Sequence, residues 1–168
     1  IKELFSLLNP DGILLILEPA LFKATRNLML DRQILLETSK QISILFPCTH
    51  SKICPMLEIE DDWCHGTLAA KYWQPSQLVR QMDLKLGFNK HRLKYAAMIF
   101  KASLEPTIKK ELLARVIRTS DNRQAARVCC ENGLLSINPK IVKSTEGKRA
   151  LKASDNFRLL DLSNLKGF

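Results

Sequence analysis

The segment from Phe46 to His65, FPCTHSKICPMLEIEDDWCH, restricts the fold more than any other part of the sequence. It contains three of the five cysteines, Cys48, Cys54 and Cys64, and two of the three histidines. Its prolines and its acidic run are typical of a turn-rich loop. An odd number of cysteines argues against a disulfide framework and favours thiolate ligands in a reducing compartment. We therefore expect a loop built around a metal centre.

The spacing C-x5-C-x9-C, with Cys129 and Cys130 much further along, is compatible with more than one metal. Structural zinc sites usually take cysteines in closer pairs, separated by two to four residues. An iron–sulfur cluster is larger and accepts thiolates from distant loops, and a proline after a ligand, as at 54–55, also occurs in such sites. A cluster is favoured, zinc is the alternative, and a grouping without metal is the third interpretation. We expect His50 and His65 to lie outside the ligand set.

The first hundred residues are predicted to form an α/β unit. The turn signal NPDG precedes ILLILEP at 13–19, a continuous apolar run that predicts a strand buried on both faces of a parallel sheet. The other elements predicted here are the end of a helix at 2–8, a helix at 20–39 with an inner stripe of Leu21, Leu28, Ile34 and Leu35, a strand at 42–46, a helix at 76–86 closed by Gly87, and a strand at 93–102.

Beyond Pro106 the pattern changes to short apolar pieces separated by polar turns. The pieces LARVIRTS, ARVCC and LLSI predict strands, ENG at 131–133 predicts a hairpin between the last two, and a short helix is expected at 146–153. We therefore divide the chain into an α/β part at 1–102, which includes the cysteine loop at 46–66, and a β-rich appendage at 103–168.

The net charge of +9 is concentrated in the second part of the chain. Residues 1–100 carry 12 Lys and Arg against 10 Asp and Glu, whereas residues 101–168 carry 14 against 7. Such a basic region predicts a polyanionic partner, because Lys and Arg that neutralise phosphates release counterions; a basic surface that serves only solubility is the alternative. Few aromatic residues accompany these cations, which favours phosphate contact with folded RNA over base stacking. The candidate RNA contacts are Lys109, Lys110, Arg115, Arg118, Arg123 and Arg127, followed by Lys140, Lys143, Lys148 and Arg149.

Four segments resemble a known family. PCTHSKICPM followed by DWCHG is similar to the PCPH…CP…WCH signature of the methyltransferase-like proteins associated with the small ribosomal subunit, which have bacterial and mitochondrial members. LLNPDGILLILEPA, RLKYAAMIFK and RVIRTSDNRQAARVCCENG resemble further segments of that family. Thr49, Ala20 and the GTLA after His65 depart from its usual pattern. The resemblance extends over nearly the whole chain.

The resemblance implies the C-terminal part of a class I, Rossmann-like methyltransferase sheet with a cysteine-rich metal loop and a small β-rich appendage. It also implies that Cys48, Cys54 and Cys64 are ligands of a [4Fe–4S] cluster. Counting back four residues from Gly133 selects Cys129 as the fourth, and the adjacent Cys130 is the alternative. The implied partner is the small ribosomal subunit or its rRNA, and the implied compartment is the cytoplasm or the mitochondrial matrix.

Catalysis by this chain alone is not expected, although the resemblance is to methyltransferases. The sequence contains no G-x-G loop that would bind S-adenosylmethionine, and it begins in a helical pattern at Ile1. We therefore expect a fragment whose cofactor-binding half lies upstream. A zinc-stabilised binding module without activity is the alternative function. No run of eighteen apolar residues is present, so a transmembrane protein is not expected.

Overall fold

The structure is a computed structural model that describes residues 2–69, 74–87, 92–102, 113–119, 125–152 and 157–165. Its helices are α1 (Lys2–Phe5), α2 (Phe22–Thr38), α3 (Gln77–Leu86) and α4 (Thr145–Lys152). Its strands are β1 (Ile13–Pro19), β2 (Ile42–Phe46), β3 (Gly66–Ala69), β4 (Arg92–Ala102), β5 (Leu113–Thr119), β6 (Ala126–Cys130), β7 (Gly133–Ile137) and β8 (Leu159–Asp161). Among these residues, no helix combines the length and the low polarity that crossing a bilayer requires.

The first sheet has the strand order β1-β4-β2, and β3 also pairs with β4. All three pairings are antiparallel. The prediction that β1 lies in a parallel sheet and is buried on both faces is wrong in both respects. β1 and β2 do run in the same direction, but β4 lies between them and runs the opposite way. One face of β1 points outwards, so that Leu15 and Leu17 are 59% and 65% exposed.

Helix α2 packs against the first sheet through one side. Its buried residues recur at helical spacing: Thr25, Leu28, Met29, Arg32 and Leu35. The prediction is confirmed for Leu28 and Leu35 and is wrong for Leu21 and Ile34, which are exposed. Leu21 precedes the first turn, and Ile34 is rotated by about 100° from Leu35 around the helix axis. The inner side of α2 thus includes one charged residue, Arg32.

The second sheet has the order β7-β6-β5-β8, again with antiparallel pairings. The predicted hairpin is confirmed: Cys130 pairs with Gly133 across a turn formed by Glu131 and Asn132. Gly133 has a φ of 100°, a backbone conformation that residues with a side chain rarely adopt. This hairpin fixes the register of β6 and β7 and therefore the direction of each side chain on β6.

Two hydrophobic cores correspond only partly to the two sheets. The second core lies between the second sheet and α4, where Leu151 is buried with Val116 and Val128. The first core joins α2, the first sheet and the cysteine loop, and it also includes Cys129 and Phe157 from the basic part of the chain. The cysteine loop therefore lies where both sheets meet. Whether the division at residue 102 separates two folding units stays a prediction.

The first core should supply much of the stability of the fold. Phe100 is fully buried on β4 and meets the ring of Phe5 edge to face, with 5.8 Å between the ring centroids. We predict that Phe100→Ala lowers the free energy of unfolding by about 3–5 kcal/mol. Leu17→Ala, on the exposed face of β1, should change it by less than about 0.5 kcal/mol. Urea unfolding followed by circular dichroism measures both, and equal effects would contradict this description of the core.

Candidate metal centre

The loop between β2 and β3 has little regular structure, apart from one 3-10 helix at Pro55–Glu58. Much of its backbone is buried, so its carbonyl groups need hydrogen-bond donors that no strand supplies. Arg26 of α2 provides three of these bonds. It donates to the carbonyls of Ile59 at 2.6 Å, Leu57 at 3.0 Å and Asp62 at 3.0 Å. A guanidinium suits this role because its donors have a fixed planar geometry.

Arg32 holds the first half of the loop in the same way. Its side chain is completely buried and donates to the carbonyl oxygens of His50 at 2.7 Å and Lys52 at 2.6 Å. The neighbouring Gln33 accepts a hydrogen bond from the backbone N–H of Cys54 at 3.0 Å. One turn of α2 therefore fixes the backbone from His50 to the second cysteine.

Arg115 on β5 approaches the loop from the second sheet. Its Nε donates to the carbonyl of Pro47 at 2.7 Å, and its Nη1 donates to the carbonyl of Phe157 at 2.8 Å. The guanidinium also lies over the ring of Phe46, 5.2 Å from the centroid. The backbone directly before Cys48 is thus attached to the basic part of the chain.

Asp62 connects the end of the loop to the second sheet through its side chain. Its buried carboxylate accepts from Arg118 at 2.8 Å and from Arg127 at 3.0 Å, and it also accepts from the backbone N–H of Trp63. Arg118 and Arg127 keep 51% and 45% of their side-chain surface exposed. The carboxylate lies inside and the two guanidinium groups lie at the surface. These two ion pairs therefore join the end of the loop to β5 and β6.

Four thiols meet inside this framework. Cys48, Cys54, Cys64 and Cys129 belong to the first core, and none forms a disulfide. Cys130 instead packs in the second core, because adjacent residues of a strand point to opposite faces. The structure therefore brings the four predicted ligands together and places the alternative, Cys130, elsewhere. Their role as metal ligands stays a prediction.

Burial and the neighbouring thiols raise the pKa of three of these cysteines, Cys54, Cys64 and Cys129. Burial raises the pKa of Cys54, and the neighbouring Cys48 adds to the effect. The pKa of Cys64 is raised well above its ordinary value by burial and by three other thiols, those of Cys48, Cys54 and Cys129. The pKa of Cys129 is raised for the same reasons. A shared cation would oppose these shifts, because it stabilises the thiolate form.

Two guanidinium groups, the buried one of Arg32 and the partly buried one of Arg115, flank the thiols without an acidic counterpart in the described part of the chain. Among the described residues, neither Arg32 nor Arg115 has a carboxylate within salt-bridge distance. Arg32 acts electrostatically on Cys54 and Cys129. Burial lowers the pKa of Arg115, while nearby cysteines oppose this shift. A buried charge is costly unless it is paired, so the site is suited to a group with net negative charge.

The same residues do not form a site for a single ion in the described part of the chain. There, no group of three or more His, Cys, Asp or Glu side chains is arranged to hold one metal ion. Tetrahedral zinc with bonds of about 2.3 Å requires its sulfurs to lie within about 4 Å of one another. The cysteines share the first core, and whether they hold a single ion or a cluster stays a prediction.

The two loop histidines have different surroundings. His50 is buried, and its Nε2 lies 3.3 Å from the Sγ of Cys129. Burial and the charge of Arg32 lower the pKa of His50 to about 4, so its ring is neutral at physiological pH. Burial is also the main cause that lowers the pKa of His65, whose Nδ1 lies 3.0 Å from the carbonyl of Trp63. That both histidines lie outside the ligand set stays a prediction.

The predicted RNA contacts separate into three groups. Lys109, Lys110 and Arg123 lie outside the described residues. Arg115, Arg118 and Arg127 are engaged with the loop, as described above, although the last two remain half exposed. The exposed basic residues near α4 form the third group: Lys140, Lys143, Lys148 and Arg149. Phe157 is buried, so it cannot stack on a base.

Several residues of the site were missed by sequence reasoning, which identified the cysteines. Arg32 could have been found, since its spacing from Leu28 and Leu35 places it on the inner side of α2. Arg26 and Asp62 carry no comparable signal, because a charged residue on a helix or in a loop is usually solvated. Their roles depend on which chain segments meet in the fold.

The fold and the site define an α/β protein whose cysteine loop is enclosed by arginines at the junction of two antiparallel sheets. Residues 1–156 match the family described as mitochondrial small ribosomal subunit Rsm22, and the chain belongs to this family. The resemblance to a family associated with the small ribosomal subunit is thereby confirmed. Among curated proteins, no significant match to the chain was found.

The ion pair of Asp62 with its two arginines should hold the loop against the second sheet. Asp62→Asn removes the charge and one strong acceptor, so we predict a loss of about 1–3 kcal/mol in the free energy of unfolding. The matched control is Asp61→Asn, because Asp61 is exposed and should contribute less than about 0.5 kcal/mol. Urea unfolding of both variants checks this prediction, which fails if their stabilities are the same.

Proposed function

We propose that this chain is the cluster-binding part of a methyltransferase-like protein that acts on or assembles the small subunit of the mitochondrial ribosome. Cys48, Cys54, Cys64 and Cys129 would hold a [4Fe–4S] cluster with a structural role. Membership of the Rsm22 family supports the ribosomal partner. The mitochondrial character of that family also supports the mitochondrial matrix over the cytoplasm as the compartment.

The observation that carries the proposal of a cluster is the combination of four free thiols in one core with two guanidinium groups, of which Arg32 is buried and Arg115 is partly buried. A [4Fe–4S] cluster with four thiolates has net negative charge, and the site supplies positive charge through Arg32 and Arg115. Both arginines donate to loop carbonyls, which leaves their charge without a carboxylate partner among the described residues. When bound, the cluster would cross-link the loop and β6 through iron–thiolate bonds, which suits a structural role.

The residues around the thiols would prepare the site before the cluster binds. Arg26 and Arg32 hold the loop backbone from α2, and Arg115 and Asp62 attach it to the second sheet. These contacts use backbone carbonyls and a carboxylate, not sulfur, so they do not compete with metal binding. The first core excludes water from the same region, which strengthens the charge interactions at the site.

We assign the first sheet to the C-terminal part of a methyltransferase-like α/β domain. The support is that β1 and β2 are codirectional and joined by α2, as in a βαβ unit, with antiparallel β4 inserted between them. Mixed sheets of this kind are common in α/β folds. S-adenosylmethionine binding belongs to the proposal for the whole protein, because this chain contains no G-x-G loop.

For the RNA partner we propose the exposed basic residues of the second part of the chain as phosphate contacts. The region around α4 presents Lys140, Lys143, Lys148 and Arg149 to solvent. These side chains are free to neutralise phosphates, whereas Arg115 is committed to the loop backbone. Arg118 and Arg127 would contribute through their exposed surface while they remain paired with Asp62.

Anaerobically purified protein should contain about four irons and four acid-labile sulfides per chain, with a broad absorbance near 400 nm. Elemental analysis and a visible spectrum measure this directly. One zinc and no iron per chain would overturn the proposed cluster and favour a zinc-stabilised module instead. Protein without bound metal after anaerobic reconstitution with iron and sulfide would contradict both.

The adjacent cysteines of β6 provide a matched pair for the ligand assignment. Cys129→Ser should lose most of the iron, because Cys129 faces the loop cysteines. Cys130→Ser should keep it, since Cys130 packs in the second core. Circular dichroism checks that both variants remain folded. Loss of iron from the Cys130 variant alone would show that the ligand assignment is wrong.

RNA affinity should depend strongly on salt and weakly on sequence. With about four phosphate contacts, the binding constant should fall by about two to four decades over a tenfold rise in salt. Reversing Lys140, Lys143, Lys148 and Arg149 to Glu should weaken binding and flatten this slope without releasing the metal. Filter binding to small-subunit RNA and to an unrelated folded RNA measures both quantities.

A matched control reverses four exposed basic residues of the first part of the chain: Lys23, Lys40, Arg80 and Lys85. This variant has the same net charge as the first one, so it separates a local surface from a general charge effect. Its RNA affinity should remain higher, and the salt dependence of that affinity steeper, than in the variant with the four reversals near α4. Equal losses in the two variants, or binding that does not respond to salt, would contradict the proposed surface.

A further inference from the structure

The ring of His50 makes a polar contact with one of the four proposed ligands. Its Nε2 is 3.3 Å from the Sγ of Cys129, a residue 79 positions away in the sequence. Both residues are buried. The contact joins the cysteine loop directly to β6, so it connects the two parts of the chain at the ligand itself.

The ring of His50 is held in place by its own backbone. Arg32 donates to the carbonyl of His50 and to that of Lys52, so the chain that follows the ring is fixed from α2. The other ring nitrogen, Nδ1, is buried and makes no hydrogen bond among the described residues. Besides the backbone of Lys52, which acts on the ring, the Sγ of Cys129 is the polar group in contact with it.

The direction of this hydrogen bond follows from the chemistry of the sulfur. A thiolate bound to a metal carries no proton and can only accept. A hydrogen bond to such a thiolate therefore requires a hydrogen on Nε2 of His50.

We propose that His50 is a positioning residue of the metal centre: its Nε2–H donates to the Sγ of Cys129, orients that thiolate and raises the reduction potential of the cluster. This inference rests on the proposed cluster. A hydrogen bond to a ligand sulfur disperses negative charge and therefore favours the reduced state, which has one more electron. It also favours the bound thiolate over the free thiol, so it should slow loss of the metal.

His65 provides the comparison within the same loop. It is also buried, and its ring packs on Trp63 with 5.2 Å between the ring centroids. Its Nδ1 lies near the carbonyl of Trp63, and no contact of its ring with a sulfur occurs among the described residues. A change at His65 therefore tests the effect of altering a buried loop histidine without altering a hydrogen bond to sulfur.

The experiment is a redox titration of the anaerobically purified protein, followed by visible and electron paramagnetic resonance spectra. His50→Phe keeps a ring but has no donor. His50→Gln places an amide N–H near the position of Nε2, whereas the shorter side chain of His50→Asn places it near Nδ1. The control is His65→Gln. Iron and sulfide analysis accompanies each variant, so that potentials are compared only between proteins with equal cluster content.

We expect His50→Phe and His50→Asn to shift the ratio of reduced to oxidised cluster about tenfold towards oxidised at a fixed potential. For one electron this corresponds to a midpoint potential lower by about 59 mV. His50→Gln should restore most of the difference, and His65→Gln should match the unchanged protein. Should His50→Phe fail to fold, the comparison of His50→Asn with His50→Gln still decides the question.

Three results would overturn the inference. The first is an equal potential in the unchanged protein and in His50→Phe, and the second is restoration by Asn but not by Gln. The third is complete loss of iron from the folded Gln variant, which would make His50 a ligand.

Wild-type protein that contains zinc and no iron would instead refute the proposed cluster. The rate of metal release to a chelator then tests the hydrogen bond: Phe and Asn should accelerate it, and equal rates in all variants would refute it.

Discussion

Hydrogen bonds from three arginine side chains to backbone carbonyls hold the cysteine loop in place. A loop of this kind that enters the interior must find a donor for every buried carbonyl, or lose a large part of its stability. Arg26 and Arg32 supply these donors from α2, and Arg115 supplies them from β5. The positions of the thiols follow from this framework, since it fixes the backbone to which they are attached.

The same arginines have a second effect, because they bring positive charge into the first core. A lysine would be a poorer substitute, since a compact, strongly hydrated ammonium cannot serve several carbonyls in one plane. Arg32 thereby combines a structural task with an electrostatic one: its donors hold the carbonyls of His50 and Lys52, and its charge reaches two thiols. The arginine side chains that hold the loop backbone therefore also supply positive charge beside the thiols.

Local sequence signals predicted most of the helices and strands. Helix α2, the hairpin at Gly133 and the loop position of three cysteines follow from periodicity, turn residues and spacing. The pairing of β1 could not be read in this way, because an apolar run does not show which strand becomes its neighbour. The insertion of β4 beside β1 is a long-range event, and the exposed row at Leu15 and Leu17 resembles a buried strand in sequence.

The sequence predicted the cysteines of the candidate site, but it did not predict the charged residues around them. Counting from Gly133 selects Cys129, and strand geometry gives the reason, since Cys130 faces the other core. The partners of Asp62 come from residues more than fifty positions away, which no local pattern encodes. Long-range charge pairs depend on the complete topology, whereas a cysteine spacing is a local property.

The alternation of Cys129 and Cys130 across the second sheet also determines what a change of register would do to this chain. Side chains on a strand repeat every two residues, so an insertion or deletion of one residue between β6 and its turn would exchange the faces of the two cysteines. A neighbouring cysteine would then point towards the loop, and a thiol would remain available there after such a slip. The doublet gives β6 tolerance to a register error that a single cysteine would not provide.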